Sequence, residues 1–235
     1  MSSQLPLGLR LADRCDFDSF FPGRNAALIR QLRALVDEGG PALVYLGGDP
    51  GTGKSHLLQA ALRRLTDHGG TGAYLPLAMA GEELSPATLQ GLETLDLICL
   101  DDLDRIAWET RWSAAVADLL GRAGACPTRL LLSGRQAATG LPAPEGLGFR
   151  LHLATVLELQ PLADDEKIWA LQARARALGL KLPESVGRWL LRHHPGDLGA
   201  LSRLLESLDY ASLAAQRRLT VPFIRSLLGP GAPLR

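Results

Sequence analysis

The chain has 235 residues, of which 46% are hydrophobic and 21% charged. That length and apolar content suit one large domain, or a domain with a small satellite, and argue against wholesale disorder. Lys plus Arg and Asp plus Glu are each 25, leaving a formal net charge of zero, which speaks against sequence-independent binding of duplex DNA by the whole chain.

In chain order, residues 1–16 are rich in Leu and Pro without a period and read as a separate N-terminal segment. Residues 26–36 carry apolar positions at helical spacing and predict an amphipathic helix. The run Ala42–Leu46 predicts a buried strand, and it leads into Gly48-Asp49-Pro50-Gly51-Thr52-Gly53-Lys54-Ser55. This octapeptide satisfies G-x-x-x-x-G-K-[ST] at each fixed position, and His56–Leu62 behind it reads as a helix. The chemistry follows from the residue types. Glycines let the backbone curl so that successive N–H groups face phosphate oxygens, at the N-terminus of the following helix. Lys54 places a positive charge on the outer phosphates and the Ser55 hydroxyl is a Mg²⁺ ligand. The candidate nucleotide-binding set is Gly48, Pro50, Gly51, Thr52, Gly53, Lys54, Ser55 and His56, and the nucleotide is ADP or ATP.

Further apolar strands are predicted near Ala73–Leu77, Leu95–Leu100, Leu130–Ser133 and Thr155–Leu159, with helical stretches such as Trp112–Leu120 between them. Strands alternating with helices predict a five-stranded parallel α/β sheet covered on both faces. The second of these strands ends in Asp101-Asp102, where the first acid suits Mg²⁺ held through water and the second suits orienting an attacking water. Residues 140–148 read as a Pro- and Gly-rich turn.

Past Pro161 strand signals stop. Ala163–Leu178, Pro183–Arg192 and Asp197–Ala215 carry apolar residues at helical spacing, and a short helix follows Thr220-Val221-Pro222. Asp164, Asp165 and Glu166 suit the first helix's N-terminus, and Gly179 suits its C-terminal cap. The expected organisation is therefore an N-terminal segment (1–16), an α/β nucleotide-binding core (17–160) and a small all-α lid (161–235).

Cys15, Cys99 and Cys126 are scattered and lack C-x-x-C spacing, which fits reduced thiols rather than a disulfide frame or zinc site. No apolar run approaches the roughly 18–20 residues of a membrane span, and the N-terminus lacks a signal pattern, so a cytoplasmic protein is expected. His193-His194, Trp169 and Trp189 read as a polar helix end and as packing residues.

An α/β nucleotide core followed by a helical lid resembles the AAA+ class. Phe17-Asp18-Ser19-Phe20, then Gly23 and Asn25, resembles the lead-in segment of the bacterial initiator DnaA. Leu182–Arg188 and Ala215–Phe223 resemble the Hda group, shorter DnaA-related regulators that inactivate DnaA. The resemblance runs from about residue 4 to residue 228. It implies that Gln4-Leu5-Pro6-Leu7-Gly8-Leu9 is a docking peptide for the DNA polymerase III sliding clamp (beta subunit). In that peptide Leu7 and Leu9, beside Leu5, would fill an apolar pocket while the Gln4 amide bonds its rim. Gly8 departs from the family's proline and raises the ordering entropy. The sequence ends at Arg235, where the reading expects no DNA-binding domain, so that DNA is met only indirectly through the clamp.

The resemblance also supplies three catalytic positions. Arg135 stands where the family carries an acid at sensor 1, and Gly199 stands at the sensor 2 arginine, with Arg203 a turn later. Arg150, in Phe149-Arg150-Leu151, falls at the arginine finger, although the following Leu151-His152-Leu153-Ala154 departs from the family's Trp-Gly pair. Such a finger acts on nucleotide held by a neighbouring subunit. The expected function is thus a regulator of replication initiation that binds nucleotide, docks on the clamp and stimulates hydrolysis of DnaA-bound ATP, with slow or no turnover of its own. An autonomous DnaA-like ATPase or helicase loader, and a bridging module without a catalytic arginine, stay open, as does self-association.

Overall fold

The computed structural model describes residues 15–40, 42–81, 83–135, 144–193, 198–215 and 219–228. The docking-peptide residues Gln4, Leu5, Leu7 and Leu9 lie outside them. The chain divides into two compact units. One holds the described part of Met1–Phe17 with Asn25–Asp49 and Lys54–Leu159; the other holds Asp18–Arg24, Pro50–Gly53 and the described part of Gln160–Arg235.

The first unit is built on a five-stranded parallel sheet: β1 (Leu43–Gly47), β2 (Gly72–Pro76), β3 (Leu97–Asp101), β4 (Arg129–Gly134) and β5 (Thr155–Glu158), in the order β2-β3-β4-β1-β5. β1, β3 and β4 are apolar because they are covered on both faces, which parallel crossovers require. Helices α1 (Ala26–Asp37), α2 (Lys54–Asp67), α3 (Thr110–Ala123) and α4 (Glu145–Leu151) belong to this unit. Its main core joins Tyr45, Leu75, Ile98, Leu100, Trp112, Val116, Leu119, Leu132, Leu147 and Leu151. β5 is the exception, an exposed edge strand.

The stretch expected as a turn at 140–148 ends otherwise. Residues 140–143 lie outside the described part, but from Glu145 onward the chain forms α4. Pro144 adopts the extended conformation that starts a helix, and Leu147 and Leu151, one turn apart, bury onto the core with α3. That burial outweighs the low helix propensity of Gly146 and Gly148.

The second unit contains α5 (Asp164–Ala177), α6 (Glu184–His193), α7 (Leu198–Ala215) and α8 (Val221–Leu228). Leu171, Leu190, Leu201, Leu205, Leu208 and Ile224 form its core. Glu166 accepts the Ala163 N–H at 2.8 Å and so caps α5. The other end closes in a Schellman turn, with Leu180 N–H bonded to Ala175 O at 2.8 Å and Gly179 left-handed (φ 78°).

Candidate nucleotide site

The phosphate loop begins where β1 ends and closes at the first turn of α2, which starts at Lys54. Three of its glycines, Gly48, Gly51 and Gly53, have positive φ. At Gly53 (φ 101°) a Cβ would also lie 2.5 Å from the Phe20 ring, so no side chain is accommodated. Lys54 is 6% exposed, and its ammonium donates to Gly48 O at 2.7 Å and Asp49 O at 2.9 Å. Those carbonyls hold the cation inside the loop. Burial lowers the Lys54 pKa, while Asp102, Asp101 and Asp104 draw it back toward the charged form. His56 places a ring nitrogen 2.8 Å from the Asp16 carbonyl, and Ser55 is half-buried in the first turn of α2.

The sheet order brings the acids to the same end. β3 lies between β2 and β4, and Asp101, at its last position, receives a hydroxyl from each neighbour. Tyr74 of β2 donates to Asp101 Oδ2 at 2.7 Å, and Ser133 of β4 donates to Oδ1. Asp101 is 3% exposed and Ser133 fully buried, so these bonds satisfy a carboxylate that burial would otherwise penalise. Ser133 Oγ also accepts the Asp102 N–H at 3.0 Å. Asp102 is left-handed (φ 58°, ψ 48°), the sole non-glycine residue with positive φ among the described residues. Such backbone strain is maintained by surrounding bonds and concentrates at working sites. Burial, Asp101 and Asp104 together push the Asp102 carboxyl above its ordinary range.

Mg²⁺ prefers one or two protein oxygens completed by phosphate and water, and the Ser55 hydroxyl with the Asp101 carboxylate fit that demand. Since both Asp101 oxygens already accept hydroxyls, contact through water suits it best. Among the described residues no group of three or more His, Cys, Asp or Glu forms a dedicated metal cage.

Arg135 follows β4 and pairs with Asp104, with Nε 3.5 Å from Oδ2 and its backbone N–H 3.1 Å from Oδ1. Arg150 sits in the last turn of α4, half-buried, its guanidinium lying over Gly121 of α3. Phe149 and Leu153 beside it are 68% and 70% exposed. Gly199 is exposed in the first turn of α7, and the Arg203 side chain lies outside the described set.

Sequence reasoning missed Tyr74 and Asp104, and Phe20 as the reason Gly53 must be glycine. A lone Tyr within a strand signals only packing; its contact with Asp101 required knowing that β2 and β3 are neighbours in register, Tyr74 opposite Cys99.

Comparison with known proteins agrees with this architecture. Residues 164–228 match the family model of the Hda lid domain. The fold is similar to domain III of the replication initiation protein DnaA from Thermotoga maritima (TM-score 0.77, 16% identity, 95% of this chain and 99% of that one). It is also similar to AMPPCP-bound DnaA from Aquifex aeolicus (TM-score 0.65, 19% identity), covering 77% of this chain and 61% of that one. A RuvB variant from Thermotoga maritima shares the fold as well (TM-score 0.67, 16% identity, 96% of this chain and 76% of that one). No described helix is long and apolar enough to cross a membrane. Residues 164–228 thus match an Hda lid domain, and the chain shares its fold with domain III of DnaA and with RuvB.

Proposed function

We propose that this protein is a cytoplasmic regulator of chromosomal replication initiation. It holds ADP or ATP with Mg²⁺ at the phosphate loop, docks on the DNA-loaded sliding clamp through Gln4–Leu9, and stimulates hydrolysis of ATP bound to DnaA. The observation that carries this reading is the Hda lid match at 164–228 on a chain whose core bears a complete phosphate loop.

In this scheme Lys54 and the loop amides of 48–55, with Pro50, Thr52 and His56 shaping the loop, bind the nucleotide. Ser55 and Asp101 hold Mg²⁺. Arg150 serves DnaA in trans, where a guanidinium stabilises charge developing on the transferred phosphate. Its support is a position among exposed apolar side chains, Phe149 and Leu153, which suit an approaching protein surface. Clamp docking raises the effective concentration of two weakly associating modules. Arg135 and Gly199 at the sensor positions make turnover in cis slow.

The test is DnaA-ATP hydrolysis with and without this protein and DNA-loaded clamp. Stimulation that needs both components, drops at least tenfold in Arg150→Ala and weakens in Gln4→Ala supports the scheme. Clamp binding with no loss of stimulation in Arg150→Ala leaves only a bridging role.

One observation favours a second reading, an autonomous ATPase. Asp102 is strained, half-buried and raised in pKa, as a residue that handles water would be. Substantial ATP turnover by the isolated protein, abolished in Asp101→Ala, would establish that reading instead.

A further inference from the structure

The hydroxyl of Tyr74 connects the two elements that carry the candidate Mg²⁺ ligands. Parallel pairing sets Tyr74 of β2 opposite Cys99 of β3, and Asp101 follows Cys99 by two positions, so the three residues lie on one face of the sheet. Helix α2 covers that face, where the Cys99 thiol donates to Leu58 O at 3.5 Å. From its own strand Tyr74 reaches across to Asp101 and donates to Oδ2 at 2.7 Å.

The same hydroxyl has a second partner, the side-chain amide of Gln59 on α2. Gln59 follows Ser55 by four residues, so the two share one face of α2, a turn apart. A phenol can donate one bond and accept another. Tyr74 uses both capacities, giving its proton to the carboxylate and accepting from the amide. It thereby ties Asp101 on β3 to the stretch of α2 that bears the Ser55 hydroxyl. A phenylalanine ring would occupy the same volume, so this service is separable from packing.

Groups that bond a metal ligand fix its orientation, and losing one weakens metal binding about 10–100-fold. Mg²⁺ is exacting in this respect because it demands near-ideal octahedral geometry. We infer that Tyr74, braced by Gln59, is a positioning residue that fixes the Asp101 carboxylate relative to Ser55, so that the Mg²⁺ site is set before the ion arrives. The inference rests on the nucleotide-binding reading above and adds the residue that couples its two Mg²⁺ contacts.

Calorimetric titration of the full-length protein with ADP, over a range of Mg²⁺ concentrations and in EDTA, tests it. Wild-type protein is expected to bind ADP more tightly as Mg²⁺ rises. In Tyr74→Phe the Mg²⁺ midpoint should climb at least about tenfold, while ADP affinity in EDTA stays within about twofold. Gln59→Leu should raise the midpoint less, and should add nothing in the Tyr74→Phe background, because both changes act through one hydroxyl. A merely structural role would lower ADP affinity equally with and without Mg²⁺, and that result overturns the inference. So does an unchanged midpoint, or a lowered one, in which the bared carboxylate oxygen takes the ion directly. Additive effects of the two changes remove the brace. Wild-type protein that binds ADP without Mg²⁺ dependence overturns the metal assignment and this inference with it, and absence of ADP binding overturns the nucleotide reading as well.

Discussion

Truncating Ser133 to alanine tests the arrangement that holds the acids of β3. The Ser133 hydroxyl is fully buried and makes two bonds, donating to Asp101 Oδ1 and accepting Asp102 N–H at 3.0 Å. Loss of a bond to a charged acceptor costs about 1.5–3 kcal/mol, and stranding a buried donor about 1–3 kcal/mol. Tyr74 still donates to Asp101 at 2.7 Å, so partial compensation brings the expected loss to about 3 kcal/mol. At about 2–4 °C per kcal/mol for a chain of this size, the melting temperature should fall by about 6–12 °C. Urea unfolding followed by circular dichroism measures the free energy directly. The sharper measurement is the cycle with Tyr74→Phe. Both hydroxyls serve one carboxylate that is 3% exposed, so the double variant leaves that carboxylate bare. It should cost at least about 0.5 kcal/mol more than the sum of the single changes. Additive effects, or a Ser133→Ala loss below about 0.5 kcal/mol, would refute the claim that the two hydroxyls jointly stabilise Asp101.

Other consequences concern charge and backbone. Asp102 has a folded-state pKa raised above the unfolded 3.8, so the protonated form fits the fold better and stability falls as pH climbs from that value through the raised one. Asp102→Asn, which keeps the left-handed conformation accessible, should therefore melt higher than wild type at neutral pH, with the difference vanishing below about pH 4; a gain that persists in acid would contradict this. Lys54→Met should lower nucleotide affinity on the order of a hundredfold, read by titration, while unliganded stability at neutral pH stays level or rises because a desolvated ammonium is removed. In Gly121→Ala the new Cβ would meet the Arg150 guanidinium at 2.7 Å, the movable end of a long side chain. Stability should hold or gain up to about 1 kcal/mol from helix propensity, while stimulation of DnaA-ATP hydrolysis changes because Arg150 must reorient; a loss of more than about 1 kcal/mol would mean Arg150 is locked in place.

The alternation of apolar strands with helices, the phosphate loop and the change to purely helical spacing past Pro161 are local patterns, and each was legible without coordinates. So was the candidacy of Lys54, Ser55, Asp101 and Asp102, because glycine-rich curl, a lysine and strand-end acids are set by neighbours in sequence. Helix α4 was not legible, since Gly146 and Gly148 argue against a helix until Leu147 and Leu151 find the core. Nor was the setting of Asp101. Tyr74 and Ser133 lie 27 and 32 residues from it, and they meet it only because the sheet places β3 between β2 and β4. Residue type and spacing thus marked residues 48–55 as a candidate phosphate cradle. The order of strands decided which hydroxyls hold the acid, why Asp102 is strained, and that Arg135 emerges beside Gly48, because parallel pairing joins residues that no local pattern can connect.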